Sequence, residues 1–327
     1  MITRRHLIAT SAAATLASGL GTRATRAQPG WPSRVVRLVV PFPPGGGTDA
    51  VGRILSARLA EVWGQQVIIE NRGGAGSNIG NEVVARATPD GYTMLFGAFP
   101  LATNKFIYAS LGYDPVADLA PITLIGTFPN ILVVPNTSPA KSVVEFIAYA
   151  KAHRGDITFG SAGIGTSPHL NGELFKRMAG IEMTHIPYRG AGPSITDLIP
   201  GRLSMMFNTS GALLPHVRAG RMRALAVSSG KRFSAAPDLP TVAEAGVPGF
   251  DVSSWYALFA PAKTPPEIVR KMNADAVAVL REPQIRQRLE SLGLEVVGST
   301  PEALGAFLKA EMAKWEPVIK AAGIVAQ

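Results

Sequence analysis

Gly45-Gly46-Gly47-Thr48-Asp49 follows an apolar run and a Pro-Phe-Pro-Pro brake within VVRLVVPFPPGGGTDA, Val35 to Ala50. Glycines let main-chain N–H groups approach a ligand closely, and helical periodicity begins here, so the loop sits on a positive helix pole. The chemistry on offer is capture of an anion, a carboxylate above all, by amide hydrogens. A second stretch, Phe159 to His169 (FGSAGIGTSPH), repeats the plan after another strand, adding the hydroxyls of Ser161, Thr166 and Ser167. Poles from two lobes can face each other across a cleft. Asp49, in the first helical turn, has two readings: support of the cap and dipole, or contact with the ammonium of a zwitterionic ligand. His153, His169, His185 and His216 include no pair at metal-ligand spacing, so no metal is expected.

Strands and helices must position these loops. Val51, Ile54, Leu55, Leu59 and Val62 recur at helical spacing until Gly64, and Val67 to Glu70 reads as the next strand. Asn71 to Gly80 is a further glycine-rich turn, and Pro89-Asp90-Gly91 is turn chemistry ahead of a Thr93 to Phe96 strand. Strand runs at Ile131 to Val134, Ile157 to Gly160, Met183 to Pro187, Leu203 to Phe207 and Ala224 to Val227 then alternate with helical runs. The run Trp255 to Ala260 precedes three helical segments. Leu304, Phe307, Leu308, Met312 and Trp315 form one apolar stripe in the last, which assigns them to core.

The expected fold class is α/β with two lobes, each a doubly wound, mostly parallel sheet, joined by two crossing strands as a hinge. The division is an export signal over residues 1–27, a first domain over 31–130, a second over 131–252, and a return to the first over 253–327. Crossings are placed near Gly126 to Pro135 and Gly249 to Trp255.

Arg4 and Arg5 precede a mildly apolar stretch to Leu20, and Thr25-Arg26-Ala27 has small residues at cleavage spacing, which predicts export to the periplasm, with the paired arginines favouring the twin-arginine over the general secretory route. Removing this leader, with four arginines and no acid, leaves 28 basic against 23 acidic residues, so the excess falls from +9 to +5. That suits steering of small anions but gives no basic stripe for nucleic acid. There is no cysteine, so stability rests on the core. No later apolar window reaches about 18 residues, which predicts a soluble mature chain.

Several motifs carry a resemblance over the whole mature chain. PFPPGGGTDA, ENRGGAGSNIG (Glu70 to Gly80), TPDGYTML (Thr88 to Leu95), GSAGIGTSPHLNGELFKRMAGI (Gly160 to Ile181) and IPYRGAGPSITDLIPG (Ile186 to Gly201) closely resemble the Bug-type receptors. These are the substrate-binding proteins of tripartite tricarboxylate transporters. The resemblance implies a periplasmic protein of the two-lobed type II fold without catalysis or cofactor, expected as a monomer. It implies a small organic carboxylate ligand (a mono-, di- or tricarboxylate, an aromatic acid or an amino acid) and membrane permease subunits as partners. It places the ligand between two loops, by position Phe42, Pro44, Gly45, Gly46, Gly47, Thr48 and Asp49 in the first and Ala162, Gly163, Gly165, Thr166 and Ser167 in the second. Tyr188, Arg189, Gly190, Phe207 and Asn208 stand around them. The family often has Asp where this chain has Asn208, and the amide favours simple carboxylates over ligands bearing an ammonium.

Arg189 is either a bidentate partner for an acid or a surface arginine, and Tyr188 either a ligand contact or plain cleft wall. An alternative reading takes Gly45-x-Gly47-x-x-Ala50, with Glu70 ending the next strand, as the dinucleotide turn of an exported NAD(P)-dependent oxidoreductase. Pro43 and Pro44 count against it by separating strand from glycines. Thr48-Asp49 rules out a P-loop, and no G-x-S-x-G elbow occurs.

Overall fold

Val36, Leu38, Val39 and Val40 are fully buried, and this valine-rich run forms strand β1 (Val36–Val40). The chain then passes through α1 (Gly47–Trp63), β2 (Val67–Asn71), a 3-10 turn (Ala75–Ser77), α2 (Asn78–Ala85), β3 (Thr93–Ala98), α3 (Pro100–Ile107) and the long β4 (Leu119–Val134). It continues with α4 (Val143–Ala152), β5 (Thr158–Ser161), α5 (Ser167–Ala179), β6 (Thr184–Pro187), α6 (Ala191–Leu198), β7 (Met205–Thr209), α7 (Ser210–Arg218) and β8 (Arg223–Val227). β9 (Ser253–Pro261), α8 (Pro266–Arg281), α9 (Pro283–Ser291), β10 (Glu295–Val296) and α10 (Pro301–Ala322) complete it. This computed structural model describes residues 30–326, so the leader assigned to residues 1–27 lies outside the described residues. No helix among the described residues is long and apolar enough to cross a membrane.

Two parallel trios anchor two lobes. In the first lobe β1 lies between β2 and β3, parallel to both, and in the second β5 lies between β6 and β7 in the same way. Of the crossing strands, β9 runs antiparallel to the first trio and β4 antiparallel to the second. β9 pairs β3 and β4, while β4 first pairs β9 from Leu119↔Pro261 to Pro129↔Ser253 and then pairs β7 and β8 from Asn130 onward. One strand therefore belongs to both sheets, and the chain changes lobe at Pro129-Asn130. The return runs beside it, where Val252 N–H donates to Ser228 O (2.8 Å) and Ser228 Oγ donates to Val252 O (2.6 Å).

β4 begins earlier than the apolar run at Ile131 predicts, because Pro121, Gly126 and Pro129 read as breaks. The ladder tolerates Pro121 and Gly126 beside register shifts between Pro121 and Thr123 and between Leu124 and Gly126. α3, like the two-residue β10, has no forecast. Pro100, Leu101, Ala102, Thr103, Asn104 and Ile107 are all buried, so its sequence shows no amphipathic period.

The apolar faces meet in a core that continues across the lobes, with Val39, Leu95 and Trp315 in the same cluster as Phe159, Phe175 and Phe207. Trp315 packs edge-on against Phe99 with centroids 5.2 Å apart. Leu304, Leu308 and Trp315 are buried, and Phe307 and Met312 pack against the same cluster, as the spacing predicts. Each large side chain so buried contributes about 1.5–3 kcal/mol.

Candidate functional site: two helix poles seated on one strand

Parallel strands present their carboxyl-end loops on one edge, and that edge carries the glycine-rich segments in both lobes. In the first lobe, Pro41 to Gly46 links β1 to α1. Gly45 has φ +86°, a left-handed conformation that favours glycine, and its N–H donates to Asp49 Oδ2 (3.0 Å). Arg53 Nε donates to the same oxygen (2.9 Å), while Asn71 Nδ2 donates to Asp49 Oδ1 (3.0 Å) and to the Phe42 carbonyl (3.1 Å). Burial raises the Asp49 pKa, but the bonds from Arg53, Gly45 and Asn71 outweigh it and hold the carboxyl below its ordinary range. Asp49 thus ties helix, loop and the end of β2 together with its charge turned inward, and supports the loop rather than forming its wall. Pro44, Gly45, Gly46 and Gly47 are exposed, Phe42 is half-buried, and among the described residues no protein acceptor meets the N–H of Gly46, Gly47 or Thr48. These are the unpaired donors of a helix start.

In the second lobe, Ser161 closes β5 and Thr166 caps α5 with extended backbone, its hydroxyl donating to Gly163 O (2.6 Å). Gly165 has φ +78°; its N–H donates to His169 Nδ1 (3.2 Å) and its carbonyl accepts from Thr103 Oγ1 (3.2 Å) on α3 of the other lobe. Ala162, Gly163 and Thr166 are half-buried, whereas Ser167 is buried. Beneath the loop, His169 and His185 stack with centroids 3.8 Å apart, and Ser161 Oγ lies 2.7 Å from His185 Nε2. Burial, then the neighbouring His185 and Lys176, pull the His169 pKa down to about 3, and burial and Lys176 bring His185 to about 4. Both rings are neutral at pH 7, and neither has a metal-binding partner set; no group of three His, Asp or Glu suited to a metal occurs among the described residues.

The two helix starts meet on β9. Thr48 Oγ1 lies 3.5 Å from the Tyr256 hydroxyl, and a Cβ on Gly47 would lie 3.3 Å from it. Ser254 Oγ is hydrogen-bonded to Ser167 Oγ, and Asn130 Nδ2 reaches both of these hydroxyls at 3.3 Å. Ser254 and Tyr256 are two residues apart on one strand and so share a face, roughly 7 Å apart. The first turns of α1 and α5 therefore converge beside the crossing strands. Tyr256 is held from the far side by Phe128 and Phe96, at 4.7 and 5.2 Å, and burial pushes its hydroxyl up to about 12, so it stays a neutral donor.

The remaining residues divide. Phe207 is corrected to core: it stacks on Phe250 (5.8 Å, 12°) and meets Phe175 edge-on, because strand alternation points it away from the face of Asn208. Asn208 is buried; its Oδ1 accepts from the Thr209 N–H (2.9 Å), while Nδ2 has no protein partner among the described residues. Tyr188 is half-buried, and its hydroxyl donates to Asp197 (2.8 Å), which also accepts from Arg202 (2.7 Å). Its face, not its hydroxyl, is what it can offer. Arg189 is exposed and makes no ion pair among the described residues. Asn130, Ser254, Tyr256 and Thr103 escaped sequence reasoning. The one available signal was Ser254 heading an apolar run, and strand ends commonly carry serine. Surface depressions of about 500 Å3 beside Lys105 and about 530 Å3 beside Arg37 lie away from both loops.

A family model described as tripartite tricarboxylate transporter family receptor matches residues 51–324. An R. palustris protein solved with adipate is 40% identical, with a TM-score of 0.85 over 90% of this chain and 98% of its own. The periplasmic binding protein BugD is 35% identical, with a TM-score of 0.83 over 90% of this chain and 100% of its own. MatC from Rhodopseudomonas palustris, solved with bound malate, is 34% identical, with a TM-score of 0.81 over 88% of this chain and 100% of its own.

Proposed function

Because the chain belongs to the tripartite tricarboxylate transporter receptor family, a family of periplasmic binding proteins and not of enzymes, we propose that it is exported, captures a small organic carboxylate between its lobes and presents it to a membrane permease. What supports this reading is the seating of both helix starts on one strand, Thr48 beside Tyr256 and Ser167 on Ser254, which brings the first turns of α1 and α5 together. The oxidoreductase reading of Gly45, Gly47 and Ala50 falls with the family assignment.

One carboxylate is held by the N–H groups of Gly46, Gly47 and Thr48 and by those at the start of α5. Both poles favour negative charge by about 0.3–1 kcal/mol each at exposed sites and more where water is excluded. The unpaired Nδ2 of Asn208 supports a second acidic or neutral acceptor rather than an ammonium. A four- to six-carbon diacid is the favoured class, in keeping with the adipate and malate held by the two relatives. Arg189 and the Tyr188 ring form the outer wall.

A thermal-shift panel of mono-, di- and tricarboxylates, amino acids and NAD(P) tests the class, with stabilisation by diacids alone as the expected result. Gly46→Val tests the site. Gly46 has φ −85° and nothing within 4 Å of a Cβ, so the variant folds normally and loses ligand stabilisation. Retained stabilisation in that variant would move the ligand elsewhere.

A further inference from the structure

Gly165 is gripped from two sides. Its N–H donates to His169 of its own lobe, and its carbonyl accepts from Thr103 of the other lobe. A Cβ there would stand 2.9 Å from Ile107 Cδ1 and 3.2 Å from Asn104 Oδ1, so the loop sits directly on α3. α3 is itself fixed within the first lobe and the C-terminal segment: Ala326 N–H donates to Ile107 O (2.9 Å), and Asn104 Nδ2 donates to Gly76 O (2.8 Å) and Asn78 Oδ1 (2.7 Å). The alternative acceptor for Thr103 is Pro100 O within its own helix, at the longer distance of 3.4 Å. Thr103 is fully buried, so without Gly165 its hydroxyl keeps only that weaker partner.

Resting on the carboxylate-receptor reading, we infer that Thr103 is a positioning residue lent by the first lobe to the ligand loop of the second. Its hydroxyl fixes the Gly165 peptide, and with it the amides of Ile164 to Ser167, in their binding conformation only while the lobes are together. Separating the lobes removes the bond and frees the loop. Lobe closure and anion grip are then one event: the loop binds strongly when the first lobe is in place and weakly when it is not. A second contact between lobes, Ser210 Oγ to Gly293 O at 3.3 Å, touches neither loop and serves as the control.

The test compares wild type, Thr103→Val, Thr103→Ser and Ser210→Ala in two measurements. The first is amide hydrogen exchange of the free protein. Thr103→Val is expected to speed exchange at Ile164 to Ser167 about tenfold, Thr103→Ser to restore wild-type protection, and Ser210→Ala to leave this segment unchanged. The second is stopped-flow binding of malate and adipate, where Thr103→Val is expected to speed dissociation about tenfold with association altered less than threefold. Thr103→Ala replaces the valine variant if that fails to fold. Unchanged exchange in Thr103→Val, or equal effects in Thr103→Val and Ser210→Ala, would overturn the inference. Failure of the wild type to bind any carboxylate would overturn the functional reading, while the exchange of the free protein still decides the role of Thr103.

Discussion

Asp49 and the histidine pair show how much of each loop rests on buried polar side chains. In Asp49→Ala the Gly45 N–H loses its acceptor and the Asn71 amide keeps only the Phe42 carbonyl, at an expected cost of about 1–3 kcal/mol in urea unfolding. The Asp49 pKa is depressed in the fold, so its contribution is present above the ordinary carboxylate range and is lost as pH falls through the lowered value; the variant's acid limb should be flatter. His169 and His185 titrate in the same direction. With fold values of about 3 and about 4 against an ordinary 6.5, their neutral forms add stability that is complete above pH 6.5 and is lost as pH falls from there toward 4 and 3. Wild type is expected to lose on the order of 2 kcal/mol per histidine between pH 7 and 5, read by denaturant midpoints. His185→Phe, which keeps a ring against Phe159, should lose less over that interval. At this scale the glycines, prolines and hydroxyls of both loops were legible, because their backbone chemistry is local. The partners of Asp49, Gly165 and Ser167 were not, since they come from residues 22, 62 and 87 positions away.

Elements were legible where one face is wet. α1, α4, α8 and α10 have a buried stripe and an exposed face, and the spacing of their apolar residues marked them. α3 hides Thr103 and Asn104 in the protein interior, and β4 carries two prolines, so each violates the local rule that would have revealed it. Those violations sit beside the site: Thr103 of α3 holds the Gly165 carbonyl, and the second half of β4 opens on Asn130. Asn130→Ala removes the amide shared by Ser167 and Ser254 and is expected to cost about 1–3 kcal/mol and to weaken carboxylate binding, measured by unfolding and calorimetry. An unchanged affinity would mean that the seat of α5 is rigid without it.

Across the whole molecule, two lobes share β4 and one continuous apolar cluster, so they are expected to melt as one unit despite their separate sheets. Scanning calorimetry should give a single two-state transition; two resolved peaks would refute this coupling. Trp315→Ala, which removes a fully buried side chain of that shared cluster, should cost about 3–5 kcal/mol and shift both lobes together. The placement of Ser254 and Tyr256 has a further consequence for selectivity. Their separation is one pleat repeat, set by covalent chain geometry, so no rigid-body swing of the lobes can widen it. A gauge of that width admits a single acid head and is indifferent to what trails behind. In a homologous series of diacids, lengthening the tail should therefore leave the head's contribution constant, and all discrimination by length must arise at the opposite end of the bound molecule.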